Sequence, residues 1–407
     1  MTMEFHSLPP LSLYVHLPWC VEKCPYCDFN SHKAPTEIPA DDYVAALTAD
    51  LDHALPDVWG RSLQTIFIGG GTPSLFPPKA IDRLLSNIRA RFNPAPDIEV
   101  TLEANPGTLE AASFAGFRDA GVNRLSLGIQ SFDDDMLAAL GRIHGAAEAQ
   151  RAIDRAFAAG FEGVNIDLMY GLPEQSIDAA LDDLKTAIAA APGHVSWYEL
   201  TLEPNTVFWS QPPRLPDDDT RADMEDAGFE LLRAAGYERY EVSAWARSDD
   251  LRCQHNLNYW HFGDYLGIGA GAHGKLTLPA ESAIERSARV KAPASYLTRA
   301  PRGEAVAHRR RLSAADAASE FFLNALRLPA GFDPALFTER TGVPLAWLER
   351  ELASAERDGL ITRDLDRIQP TARGLSLLND LLARLDEGTR AWRSGREKVS
   401  RIPVVTR

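Results

Sequence analysis

Sulfur is scarce in this chain. Its 407 residues include 4 cysteines and 5 methionines, too few for a disulfide framework to hold a polypeptide of this length. No apolar run approaches the about 20 residues that cross a bilayer as a helix. The opening Met-Thr-Met-Glu-Phe-His lacks the basic-then-apolar pattern of an export signal. The expectation is a cytoplasmic protein, at most peripheral at the inner membrane face. Positive charge is also short: 42 Lys and Arg against 57 Asp and Glu leave a net charge of −15. No basic face of the kind that displaces counterions from nucleic acid stands out, which argues against a nucleic-acid partner. The exception is the stretch after Gly388, with six Lys or Arg against one Glu. A disordered, solvated tail over 387–407 is the plainer reading; contact with anionic lipid or an acidic partner is the other.

What sulfur there is lies close together. Cys20, Cys24 and Cys27 follow the strand-like Ser12 to Leu17 in a C-x3-C-x2-C pattern. Three soft thiolates on one short loop can hold three corners of an iron–sulfur cube and leave the fourth iron open to a ligand. A structural zinc site is the alternative. It wants four ligands, commonly as paired C-x2-C units. Here the remaining cysteine is the distant Cys253, with His16 and His32 nearer. The spacing favours the cluster.

Short apolar strands near 12–17, 63–69, 98–103, 123–130, 163–169 and 195–202 alternate with amphipathic stretches at 41–55, 79–91, 109–120, 146–159 and 177–190. Steady strand–helix alternation predicts a parallel sheet, an α/β fold built as a partial, TIM-like (β/α)6 barrel with its site at the strand C-termini. The pattern changes after about residue 204, with a Pro-rich passage, a helix near 218–235 and a strand-like 237–244. From Ser313 the chain reads as three helices, a short β-like 359–368 and a last helix at 371–385, a small, mainly helical, winged-helix-like domain. Twelve acidic against eight basic residues over 313–386 argue against DNA binding there. The expected division is a core barrel at 1–245, a connecting segment at 246–310, a C-terminal domain at 311–386, then the tail.

The expected strand ends carry chemistry. Gly69-Gly70-Gly71-Thr72-Pro73 lets backbone amides approach a negatively charged ligand. Glu103, Gln130 and Asp167 recur at or near strand ends, and Arg142 follows Leu140. A carboxylate there can take ribose hydroxyls or an ammonium, and Arg can pair with a carboxylate. Gly269-Ala-Gly271-Ala-His-Gly274 matches a dinucleotide fingerprint, but no amphipathic helix follows it, so it is set aside. In Cys253-Gln-His255-Asn256-Leu-Asn-Tyr259-Trp260, His255 can ligate heme iron, and the aromatics offer flat faces to a porphyrin. Packing at the seam between barrel and C-terminal domain, with His255 hydrogen-bonded, is the reading the residues favour by themselves.

Taken together, the cysteine loop with Phe29, the Gly69–Pro73 run, Asp167-Leu-Met-Tyr-Gly-Leu-Pro173 and His255-Asn256-x-x-Tyr259-Trp260 resemble the oxygen-independent coproporphyrinogen III oxidase-like family of radical S-adenosylmethionine (SAM) proteins, from Leu11 to about Asp386. The resemblance implies a [4Fe–4S] cluster on Cys20, Cys24 and Cys27. It implies SAM at Tyr14, Gly70 and Glu103, and a second SAM position at Tyr26, Gly71, Thr72, Gln130, Arg142 and Asp167. Two departures set the chain apart from the oxidase. That enzyme has a fourth cysteine where Phe29 stands, and a longer arm ahead of the loop, where nineteen residues precede Cys20 here. The His-Asn-x-x-Tyr-Trp segment belongs to the heme-chaperone branch, which reverses the packing reading and implies heme at His255, Asn256, Tyr259 and Trp260. The implied function is binding heme and passing it to an acceptor such as a respiratory cytochrome; decarboxylation of a tetrapyrrole is the alternative. SAM cleavage, homodimer formation and membrane contact stay open.

Overall fold

The protein is described as a computed structural model covering residues 3–108 and 111–393, without the side chains of 108, 111, 112 and 391–393. Its centre is a sheet of parallel strands: β1 (Leu11–Leu17), β2 (Leu63–Gly70), β3 (Glu99–Ala104), β4 (Arg124–Gln130), β5 (Gly163–Tyr170) and β6 (His194–Glu199), hydrogen-bonded in that order. β1 shows why these residues make a wall. Leu11, Leu13, Val15 and Leu17 point to the helical layer while Ser12, Tyr14 and His16 turn inward, the two-residue alternation of a strand. Helices Ala40–Ala54, Pro78–Arg89, Ala111–Ala120, Ala146–Ala158 and Ile177–Ala189 cover the outside. In Pro78–Arg89, Ile81, Leu84, Leu85 and Ile88 are buried at helical spacing, and Pro78 starts the helix where no amide donor is needed. The expected stretch 109–120 begins at Leu109 and Glu110, which lie outside the described residues.

The sheet runs past six strands. The residues expected as one strand at 237–244 form two short ones, β7 (Glu238–Arg239) and β8 (Ala244–Ala246). Residues 240–243 leave the ladder because Arg239 folds back on the Val242 carbonyl and Glu241 accepts the Ser243 N–H at 2.9 Å. This excursion turns Tyr240 inward to His194. The segment 246–310, expected as a connector, adds four strands on the other side of β1: β9 (Asp264–Ile268), parallel to β1, then β10 (His273–Leu278), β11 (Ala283–Arg289) and β12 (Val306–Arg311), antiparallel. Among the described residues the whole is 12-stranded, in the order β12-β11-β10-β9-β1-β2-β3-β4-β5-β6-β8-β7. The Gly269–Gly274 motif is the turn from β9 to β10 and opens no helix.

The C-terminal unit has a core of its own. Helices Ala314–Ala325, Pro334–Thr341, Glu349–Arg357 and Leu378–Arg393 enclose Phe321, Phe322, Phe332 and Phe337 beside the hairpin of Ile361–Arg363 and Ile368–Pro370. Met3 belongs to that core, and Glu4 N–H donates to the Gly342 carbonyl at 3.0 Å. Where a tail was expected from 387, the last helix continues to Arg393, with Thr389 buried against Ser319. Residues 394–407 lie outside the described residues. No described helix is long and apolar enough to cross a membrane.

Candidate functional site

The strand ends and the cysteine loop enclose a cavity of about 520 Å³. The loop is pinched at its base, where Trp19–Cys20 pairs in parallel with His32–Lys33 and Ala34 N–H donates to the Cys20 carbonyl at 2.7 Å. Between those points the chain presents Cys20, Cys24 and Cys27 to the cavity, all free and partly exposed. Burial pushes the thiols of Cys20 and Cys27 up; the hydroxyls of Thr72 (3.4 Å from Cys20) and Ser31 (3.7 Å from Cys27) oppose the shift. Arg142 Nη1 lies 3.7 Å from Cys24 Sγ, a cation placed to steady a thiolate.

The glycine run is laced to this loop. Gly71 N–H donates to the Leu17 carbonyl and Thr72 N–H to that of Trp19, both at 2.8 Å. A Cβ on Gly71 would fall 2.6 Å from the Trp19 carbonyl oxygen, so only glycine lets the strands approach this closely. Gly70, at φ +117°, donates its N–H to Glu103 Oε2 at 3.0 Å. Glu103 is raised to about 7, chiefly by burial; the Gly70 amide pulls the other way, and the charge of Asp167 adds to the rise.

Of the expected SAM contacts, Tyr26, Gly70, Gly71, Thr72, Glu103, Gln130, Arg142 and Asp167 all line the cavity. Tyr14 stands behind the wall, its hydroxyl 2.9 Å from His16 Nδ1 and its ring stacked on Phe67, which does line it. Gln130 accepts from the Tyr198 hydroxyl at 2.8 Å. Asp167 accepts from Ser126 at 2.9 Å and Asn165 at 2.7 Å, and burial pushes its carboxyl up. Among the described residues no three His, Cys, Asp or Glu are gathered for a single metal ion; a cube differs, since each thiolate takes its own iron. The donor set therefore suits an iron–sulfur cube: three thiols on one loop, a cation beside one of them, and a polar cavity in front.

The segment expected to bind heme lies at the other end of the barrel. Helix Gln254–Trp260 closes the strand-start end, its first amides held by Glu99, which accepts from Gln254 and His255 N–H at 3.0 Å each. Asn256 reaches the cavity. His255 is buried, with Nδ1 2.8 Å from the Thr65 hydroxyl and Nε2 2.8 Å from that of Tyr259; burial brings it down to about 3. Trp260 packs toward the C-terminal unit under Arg327, 4.4 Å from its ring centre. The adjoining pocket, lined by Tyr259, Trp260 and Asn324, holds about 200 Å³, less than the roughly 300 Å³ at which small-molecule sites begin.

Residues 14–187 match the model of the Radical SAM superfamily and residues 312–377 that of the HemN C-terminal domain. The heme chaperone HemW of Escherichia coli (strain K12) is 49% identical over 376 residues, covering 92% of this chain and 98% of that protein. The chain belongs to the HemW family. HemW of Haemophilus influenzae is 48% identical, with the same coverage of both chains. The solved structure of coproporphyrinogen III oxidase (HemN) from Escherichia coli, a radical SAM enzyme, superimposes with a TM-score of 0.78 at 25% identity, covering 93% of this chain and 90% of that one. The fold is thus the radical SAM fold with a HemN-type C-terminal domain.

In this HemW-family chain the cavity also includes residues that the strand-end argument missed. Thr101, Arg124, Ser126, Asn165, His194 and Ser196 line it below the strand ends, joined by Cys253. The signal was available: counting back by twos from Glu103, Gln130 and Asp167 along their strands gives Thr101, Ser126, Arg124 and Asn165, the same inward face. Cys253, buried and pushed up to about 12 by its surroundings, faces Glu99 at 3.7 Å. A TIM-type interior is ordinarily filled by branched apolar side chains. Here it is polar and leaves room.

Proposed function

We propose that this protein carries a [4Fe–4S] cluster on Cys20, Cys24 and Cys27, binds SAM beside it, and serves as a heme carrier that passes heme to an acceptor such as a respiratory cytochrome. The observation that carries the first part is the convergence of three free thiols, Arg142, the glycine run and Glu103 on one cavity. A bound cluster would supply an open iron to which SAM can attach. The chain's own residues would position that ligand: the Gly70–Thr72 backbone and Glu103 at its amino-acid end, with Tyr26, Gln130, Arg142 and Asp167 on the facing wall. Heme carriage is supported by the name of the 49%-identical relative. Phe29 supports it too, since this residue is 58% exposed at the cavity edge, where the oxidase pattern has a further cysteine.

The heme ligand we assign is His255, with Asn256, Tyr259 and Trp260 from the same helix. Because both its ring nitrogens are engaged, heme ligation requires that this helix release Thr65. Anaerobic reconstitution should give four irons per chain in the wild type and none in the triple Cys→Ala variant. Hemin should add to the reconstituted protein with a saturable Soret change. Iron uptake independent of the three cysteines would overturn the cluster assignment, and a flat hemin titration the carrier reading.

The second reading is a radical SAM enzyme acting on a tetrapyrrole propionate, favoured by the likeness to HemN over nearly the whole chain. Formation of protoporphyrinogen from coproporphyrinogen by the reconstituted protein with SAM and reductant would establish it.

A further inference from the structure

The strand-start end of the barrel holds a buried cation without an ion-pair partner among the described residues. Arg124, the first residue of β4, is 5% exposed. Its Nη1 donates to the Leu251 carbonyl at 2.9 Å. Its Nη2 is buried without an acceptor, and among the described residues Arg124 forms no ion pair. On the neighbouring strand its register partner is Thr101, whose hydroxyl is likewise buried and unpartnered. Both residues line the cavity. The carboxylates nearby are committed elsewhere, Glu99 to the amides of Gln254 and His255 and Asp167 to Ser126 and Asn165. Native proteins pair a buried guanidinium and satisfy a buried hydroxyl, because neither can be stripped of water at no cost.

We propose that this end of the cavity is a binding site for a small organic carboxylate, held by Arg124 Nη2 and the Thr101 hydroxyl. One cation and one hydroxyl match one negative charge shared by two oxygens. A phosphate would bring more charge and a third oxygen than this pair can meet. The site lies below the groups at the strand ends: Arg124 is six residues before Gln130 on β4 and Thr101 two residues before Glu103 on β3, the latter step roughly 7 Å at about 3.3 Å per residue. A ligand there would lie beneath whatever binds at the cysteines, enclosed by the barrel wall.

The test is calorimetric titration of the cluster-loaded full chain with propionate, succinate and inorganic phosphate, with and without saturating SAM. Saturable binding of propionate or succinate is expected, unchanged by SAM, weakened at least tenfold in Arg124→Gln and severalfold in Thr101→Val. Absence of saturable binding by either acid would mean that ordered water satisfies these groups, and would overturn the proposal. So would displacement by SAM, tighter binding of phosphate, or wild-type affinity in both variants. Thr101→Val, nearly the same shape, decides the matter should Arg124→Gln fail to fold, and its thermal melt serves as the folding control.

Discussion

The imidazole Nδ1 of His255 lies 2.8 Å from the hydroxyl of Thr65, a residue 190 positions earlier in the chain. Thr65 donates onward to Ser12 at 2.7 Å, so the imidazole supplies the proton to Thr65 and accepts at Nε2 from Tyr259. The histidine proposed to ligate heme is thereby built into the barrel wall, between β2 and the helix that closes its end.

This contact makes Thr65 a lock on the proposed heme ligand. Replacing it with Val removes both of its hydrogen bonds, of which the one to His255 holds the helix closed and is worth about 1 kcal/mol. A ligand that must first open that state then binds roughly fivefold more tightly. Hemin titrations should place affinity in the order Thr65→Val, wild type, His255→Ala. Equal affinities in all three would move heme away from this helix.

With SAM held as proposed, Glu103 should give its binding a pH dependence. Its carboxyl is raised to about 7, so it is largely protonated at pH 6 and ionised at pH 8. If SAM requires the carboxylate, affinity falls about tenfold per unit below pH 7 and levels off above it. Calorimetry at pH 6, 7 and 8 should show this slope in the wild type and none in Glu103→Gln. A flat wild-type profile would remove the carboxylate from recognition.

Gly71→Ala should damage the cysteine loop without touching a cysteine. The added carbon would stand 2.6 Å from the Trp19 carbonyl, next to Cys20, and backbone cannot rotate away as a side chain can. Overpacking of this kind costs about 1–3 kcal/mol. Expected are a lower unfolding midpoint and reduced iron uptake on reconstitution. Full iron uptake at wild-type stability would show that the loop adapts.

Asp264, the first residue of β9, is held in place by a buried ionic cluster. Fully buried, it takes Lys275 Nζ and Arg61 Nη1 at 2.9 Å each, with the Thr277 hydroxyl also at 2.9 Å. Burial opposes its charge, but the two cations and Thr277 hold its carboxyl below the usual range. Asp264→Ala strands the buried Lys275, at a cost of about 3–5 kcal/mol. Urea denaturation should register most of that loss, and Asp264→Leu with Lys275→Met should recover part of it. A cost below about 1 kcal/mol in the single variant would mean water replaces the carboxylate.

The sequence made the parallel barrel legible because its strands and helices differ in period and alternate regularly. Glu103, Gln130 and Asp167 could be singled out because polar residues near the ends of apolar strands stand out. The four strands between Asp264 and Arg311 were less visible: three of them are added antiparallel, with no helices between to mark them off, and glycines that read as loop interrupt them. That His255 is packed and hydrogen-bonded agrees with the reading its own residues favoured, but its partners could not be read, since Thr65 and Tyr259 become a cage only when β2 and the closing helix meet. Arg124 was passed over for a similar reason. Counting back from Gln130 puts it on the inward face, but nothing in the sequence shows that it is left there without a counter-ion.

The most direct test of the proposed role is an anaerobic hemin titration of the cluster-loaded protein, followed at the Soret band. One heme per chain, with subsequent loss of that band to an added apocytochrome, is the expected result. No saturable binding, or heme that stays bound in the presence of the acceptor, would contradict it.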